Sequence, residues 1–126
     1  MTKRFHSVYR QLTPFITKDG SIIREMMHPA VHGNREQSLA EAIVPPGGAT
    51  VPHCHSRSEE IYHFTAGDGL MRLGEEEFAV TAGDTVCIPP GIPHSLNNPG
   101  QRELRLLCCS SPPYADEDTE LLHAEA

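Results

Sequence analysis

The sequence predicts an all-β barrel built as one domain, and three observations carry that reading. Strand-like runs of about four to eight residues recur, each bounded by glycine, proline or a polar turn. Glycine and proline together number 21 of the 126 residues, and many fall at those boundaries, as a barrel with tight corners requires. A chain of 126 residues with 38% hydrophobic content can fill one core but not two.

Residues 1–20 carry mixed charges without a clear period, and Asp19-Gly20 is a turn signal. Residues 21–28 read as a strand closed by Pro29. On an extended backbone Arg24, Met26 and His28 share one face, and Ile23, Glu25 and Met27 the other. Neither face is apolar, which suits an edge strand at a subunit interface or a pocket mouth. Residues 30–36 read as a polar loop. In residues 38–44, Ala40, Ala42 and Val44 form one small apolar face, and Leu39, Glu41 and Ile43 the other. Glu41 among apolar neighbours is a candidate pocket acid or a partner for Arg24 or Arg105.

Residues 60–65 and 70–73 are expected to form a hairpin about Ala66-Gly67-Asp68-Gly69. With Glu60 facing inward, Tyr62 and Phe64 face inward too, joined by Met71 and Leu73 across the pair, while His63 and Arg72 face out. Residues 74–77 are an acidic turn, residues 78–80 a short strand, and residues 85–88 a strand ended by Pro89-Pro90. Prolines 89, 90 and 93 stiffen the approach to His94. Leu96 then shares the face of His94. Residues 104–109 are the last core strand, and Pro112-Pro113 marks the exit into an acidic tail with one expected helical turn near residues 119–122.

His53 and His55 flank Cys54, so on an extended backbone both imidazoles project from one face and the thiol from the other. Glu60 follows after a polar turn, and His94 lies 39 residues beyond His55. Three imidazoles and a carboxylate are a donor set suited to a divalent first-row metal. His63 has the wrong parity to join them.

At these positions the sequence resembles the cupin family. The first motif of that family, G-x5-H-x-H-x4-E-x6-G, is matched by Gly47, His53, His55, Glu60 and Gly67. The second, G-x5-P-x-G-x2-H-x3-N, is matched by Gly83, Pro89, Gly91, His94 and Asn98, and 15 residues separate the two. The resemblance implies a double-stranded β-helix, or jelly-roll barrel. Its core would span about residues 37–110, with an N-terminal arm (residues 1–36) and a C-terminal tail (residues 111–126). It also implies a metal held inside by His53, His55, Glu60 and His94, with Mn, Fe, Ni, Cu and Zn all suitable.

The chemistry expected of such a site is that of a metal-dependent enzyme acting on a small oxygen-bearing molecule: a dioxygenase, decarboxylase, lyase or isomerase. Tyr62 is the candidate catalytic side chain, and Glu25, His28 and Glu41 are unassigned candidates for acid–base roles. The alternative is a non-catalytic module that binds a small molecule or metal. The pocket is expected to be lined by Tyr62, Phe64, Met71, Leu73 and Leu96 and to be apolar except at the metal. It would take a compact neutral or singly charged ligand, unless Arg24 reaches over the mouth. Small relatives of this kind pair, so a homodimer is expected with Ile22–Met27 at its interface.

Other classes are disfavoured. A formal net charge of −7 argues against a nucleic-acid surface. No apolar run approaches a membrane span, and the first twelve residues lack the apolar stretch of a secretory signal. The four cysteines show no zinc-type spacing, and Cys108 and Cys109 are adjacent. A reduced cytoplasmic protein is therefore expected.

Overall fold

The computed structural model describes residues 5–122. Its strands are β1 (Phe15–Ile16), β2 (Ile22–Met27), β3 (Ser38–Val44), β4 (His53–His55), β5 (Glu59–Ala66) and β6 (Asp68–Leu73). They continue with β7 (Glu76–Thr81), β8 (Thr85–Ile88), β9 (His94–Asn97), β10 (Leu104–Ser111) and β11 (Thr119–Leu121). One sheet has the order β1-β2-β3-β10-β5-β8 and the other β11-β4-β9-β6-β7. From β3 onward the chain alternates between the two sheets, except where β6 and β7 pair directly. This is the double-stranded β-helix expected from the sequence.

Strand parity decides what faces inward. Along β5, Glu60, Tyr62 and Phe64 are buried while Glu59, Ile61, His63 and Thr65 are exposed, the period of two that one-sided burial imposes. Phe64, Met71, Ile88, Leu104 and Leu106 are wholly buried, and Val44, Val80 and Leu96 complete the core around them. Removing side chains of this size from water contributes about 1.5–3 kcal/mol each.

The expected hairpin across Gly67 does not form. β5 pairs with β10 and β8, whereas β6 pairs with β7 and β9, so the chain crosses between sheets at Gly67. The reason is close approach: Gly67 has φ +85°, and a Cβ there would fall 2.2 Å from the Glu103 carbonyl oxygen. Residues that signal a tight turn can equally mark a corner pressed against another strand. The true hairpin is β6–β7, closed by Gly74-Glu75, with β7 longer than the expected strand.

Two further expectations are corrected. Residues 30–32 of the expected polar loop belong to one short helix, α1 (Pro29–His32), capped by the His28 Nδ1, which accepts from the Ala30 N–H at 3.0 Å. The tail makes its single turn at Asp116–Asp118, and Thr119–Leu121 is a strand rather than helical. It pairs with β4, placing Thr119 opposite His55 and Leu121 opposite His53. Hydrogen bonding dictates this: the buried Asp118 carboxylate accepts from the Ser56 hydroxyl (2.6 Å), the Arg57 N–H (3.0 Å) and the Ser58 N–H (3.1 Å). Residues 123–126, with the expected tail acid Glu125, lie outside the described residues.

At the N-terminal end, β2 pairs along β3 and β1 forms the sheet edge. The motif residue Asn98 is wholly buried and structural. Its amide donates to the carbonyls of Val44 (2.9 Å) and Arg102 (2.8 Å), and its Oδ1 accepts from the Gly100 N–H (3.1 Å).

Two glycines separate backbone strain from collision. Gly83 also has a positive φ (+99°), but a Cβ there meets nothing within 4 Å. Gly83→Ala is predicted to lower unfolding stability by about 1–2 kcal/mol, the cost of the left-handed backbone alone. Gly67→Ala is predicted to cost more than about 3 kcal/mol, because the Glu103 backbone at the entry to β10 must also move. Urea unfolding of both variants checks this, and equal losses would contradict it.

Candidate metal centre

β4 presents His53 and His55 to the barrel interior, β5 presents Glu60, and β9 presents His94; all four are buried. His53 and His94 are direct cross-strand partners, with ring centroids 4.2 Å apart. The candidate ligand nitrogens of the three histidines lie within 4.8 Å of one another. Glu60 Oε1 lies 3.1 Å from His55 Nε2 and 3.3 Å from His94 Nε2. The three histidines thus form one mutually close set, and Glu60 touches two of them, His55 and His94.

The other nitrogen of each ring is already committed. His53 Nδ1 lies 2.8 Å from the Val51 carbonyl oxygen, and His94 Nδ1 lies 2.9 Å from that of Ile92. A carbonyl only accepts, so each Nδ1 carries the hydrogen. His55 Nδ1 lies 3.0 Å from the Thr119 hydroxyl, which donates its own hydrogen to the Ala115 carbonyl at 2.9 Å. Thr119 therefore accepts from His55. In the neutral rings every Nε2 keeps an unshared pair turned toward the centre.

His55 Nε2, His94 Nε2 and Glu60 Oε1 are buried without a hydrogen-bond partner. Electron-rich atoms facing each other at 3.1–3.3 Å repel unless a positive charge joins them. Adjacent donors on one ion, at bonds of about 2.1 Å, stand about 3.0 Å apart. The donor set and the spacing both fit a divalent metal. The second Glu60 oxygen accepts from the buried Ser110 hydroxyl at 3.0 Å, which fixes the carboxylate plane.

The electrostatics agree. Burial works to raise the Glu60 pKa, but contact with His55 and His94 outweighs it and holds the carboxyl well below the usual range. Burial, reinforced by neighbouring His94, pushes the His53 pKa down. Burial also opposes a charge on His55, yet Glu60 outweighs it and the net shift is upward.

The remaining candidates divide. Tyr62 packs edge-on against His94 (5.9 Å) and lines the cavity beside the centre. Burial pushes its phenol well above the ordinary value. His63 is exposed and bonded to the Thr85 hydroxyl at 2.8 Å, away from the centre as its parity requires. Glu41 lies on the outer face, beside Arg24 (3.9 Å) and Arg105 (3.6 Å) and bonded to the Tyr9 hydroxyl. It is no pocket acid. Arg24 stacks over Tyr9 at 5.2 Å on that outer face and does not cover the mouth. His28 is a structural link to the Tyr114 carbonyl at 2.8 Å. Glu25 does line the cavity, where burial raises its pKa.

The cavity holds about 60 Å³. Tyr62 and Leu96 line it as expected, but Phe64, Met71 and Leu73 instead fill the closed core behind them. Its walls come from β2, β3 and β10, because the small Ala40 and Ala42 leave space opposite the candidate donor residues. Thr17, Asp19 and Glu25 also line it, its surface is mainly apolar as expected, and none of the described lining residues is Lys or Arg. Sequence reasoning missed Asp19, Ser110, Tyr114 and Thr119. Only the turn at Asp19-Gly20 left a visible mark.

The family pattern described as "Cupin domain" matches residues 40–110, a span that holds all four donor residues. The chain is 55% identical over 114 residues to an uncharacterised protein of Methanocaldococcus jannaschii, covering 90% of this chain and 91% of that one. It is 30% identical over 84 residues to an oxalate-binding protein of Thermotoga maritima, covering 67% and 65% of the two chains. Among solved structures, an oxalate decarboxylase–formate complex from Lactobacillus farciminis superposes with a TM-score of 0.77 at 24% identity, covering 90% of this chain and 34% of that one. A polyketide cyclase from Streptomyces resistomycificus gives 0.75 at 24% identity, covering 94% and 89%. At these identities the structural likeness is one of fold.

Thr119→Val keeps the shape of the side chain and removes the oxygen that accepts from His55. Zinc affinity, read by competition with a chromophoric chelator, is predicted to fall about 10–100-fold. Affinity equal to that of the unmodified protein would show that His55 does not depend on the tail for its orientation.

Proposed function

The chain belongs to the cupin domain family, and from that membership we propose that it is a metal-dependent enzyme acting on a small oxygen-bearing organic molecule. The observation that carries the reading is the convergence of unpartnered donor atoms from His55, His94 and Glu60 beside a cavity. When bound, a divalent ion held by His53, His55, Glu60 and His94 would polarise an oxygen of the ligand and leave positions open to it. Mn, Fe, Ni, Cu and Zn all suit this donor set.

The chain's own residues limit the ligand. At about 15 Å³ per water-sized step, a cavity of about 60 Å³ takes only a few heavy atoms beyond those at the ion. Tyr62 offers a hydroxyl donor, and Ala40, Ala42 and Leu96 offer apolar contact. The acids Asp19 and Glu25, with no cation among the described lining residues, favour a neutral or singly charged ligand. The family's reactions of dioxygenation, decarboxylation, elimination and isomerisation all remain open to such a site.

A second reading is a non-catalytic module that binds a small molecule or metal. It draws support from the Thermotoga maritima relative, which is described as oxalate-binding. Four free thiols in the described residues support a reducing compartment. No helix among the described residues is long and apolar enough to cross a membrane.

Purified protein is predicted to carry about one divalent metal per chain, and His94→Ala to lose it. Elemental analysis of both checks the centre; a variant with full occupancy would refute the ligand set. Small monoacids, diketones and phosphorylated sugars are then screened for turnover with and without chelator. Chelator-sensitive turnover is the expected result, and binding without turnover selects the second reading.

Assembly is a separate proposal. β1 is a sheet edge carrying exposed Phe15 and Ile16 (47% and 73% accessible) beside β2, and unpaired apolar edges are usually covered. We expect a homodimer with Ile22–Met27 near its interface. Light scattering at micromolar concentration should give the dimer mass, and a monomer mass would reject it.

A further inference from the structure

Among the described residues, two bring a carboxylate oxygen within salt-bridge distance of an Nε2 of the three imidazoles. One is Glu60. The other is Asp19, whose Oδ2 lies 3.4 Å from His53 Nε2. Asp19 comes from the turn before β2, outside both sequence motifs, yet it lines the cavity.

Its orientation is held with unusual care. Oδ1 accepts from the Thr17 hydroxyl (2.8 Å), the Ser21 N–H (2.9 Å) and the Ser21 hydroxyl (2.7 Å). Those three bonds saturate one oxygen and fix the other toward His53. The Asp19 carbonyl also accepts from the Val51 N–H at 2.8 Å, and the carbonyl of the same Val51 accepts from His53 Nδ1. His53 Nε2 carries no hydrogen in the neutral ring, so it has none to give Asp19. Two electron-rich atoms are thus held face to face, at the edge of a centre that already gathers others.

The geometry points to Asp19 as a second anionic group of the divalent-cation site, one that sets the charge of the ligand the site accepts. This rests on the reading that the centre binds a divalent ion. A doubly charged cation, the Glu60 and Asp19 carboxylates and three neutral imidazoles sum to zero. With Glu60 alone the sum is one positive charge. A neutral centre offers a dianion no net attraction, and Asp19 faces it from the cavity wall with Glu25. A neutral or protic ligand meets no such opposition. The site is thereby set against dicarboxylates of the kind bound by the oxalate-binding relative.

Asp19→Asn tests this with little change of shape. The amide oxygen can keep the three hydrogen bonds, while the charge is lost and an N–H is offered to His53 Nε2. Cobalt(II) affinity is read by competition with a chromophoric chelator, and oxalate affinity by calorimetry on the cobalt-loaded protein. Cobalt binding is expected to weaken about 10–100-fold. Oxalate binding is expected to tighten about tenfold, because a like charge has been removed. A merely structural defect would weaken both. Asp19→Glu, which keeps the charge, should hold cobalt more tightly than Asp19→Asn does. Unchanged cobalt affinity in Asp19→Asn, weakened oxalate binding, or a Glu variant as weak as the Asn variant would overturn the assignment. If the unmodified protein binds no cobalt, the metal centre itself falls and Asp19's role with it. If it binds cobalt and Asp19→Asn binds equally well, only the role of Asp19 falls.

Discussion

Unshared electron pairs aimed at one buried point are the constraint around which this barrel is arranged. Each imidazole gives its Nδ1 hydrogen to an oxygen, from Val51, Ile92 or Thr119, which leaves Nε2 bare and turned inward. A buried polar atom without a partner costs about 1–3 kcal/mol, and three such atoms meet here. The rest of the interior offsets them by close apolar packing, with Phe64, Met71, Leu104 and Leu106 wholly buried.

The four candidate donor residues are legible in the sequence because they obey local rules. His-x-His on a strand has one parity, and the alternation of β5 fixes Glu60 and Tyr62 on the inside. The prolines and glycine before His94 mark a rigid corner. What could not be read depends on pairing across the chain. Gly67 carried a turn signal, but whether it closes a hairpin or crosses to the other sheet depends on Glu103, more than thirty residues away. The cavity was misplaced for the same reason. Parity shows which residues of β5 and β6 face inward, but not which end of the barrel β2 and β3 leave open with Ala40 and Ala42.

Asp19, Ser110 and Thr119 were hidden more deeply. Each is a short polar residue near a strand end, where such residues are common for reasons of solvation and turn chemistry alone. The acidic tail showed this most clearly. Its composition suggested a solvated appendage, yet Asp118 is buried and holds the loop between β4 and β5 by three hydrogen bonds. Burial would raise the pKa of that carboxyl, and the hydrogen bonds outweigh burial to lower it. With Asp118 in place, the next residue is delivered to His55.

Three successive peptide units, at Thr50, Val51 and Pro52, tie three distant pieces of chain together. The Thr50 N–H donates to the Leu96 carbonyl and its hydroxyl accepts from the Leu96 N–H. Val51 holds Asp19 through its N–H and His53 through its carbonyl. The Pro52 carbonyl accepts from the Leu122 N–H. Adding or deleting one residue here would break the phase of β9, the Asp19 turn and the tail at once. Length variation should therefore be barred from residues 50–52, although they form no strand of their own, and tolerated at the exposed β6–β7 turn. For anyone grafting new loops onto this barrel, the unstructured-looking connection is the one to leave alone.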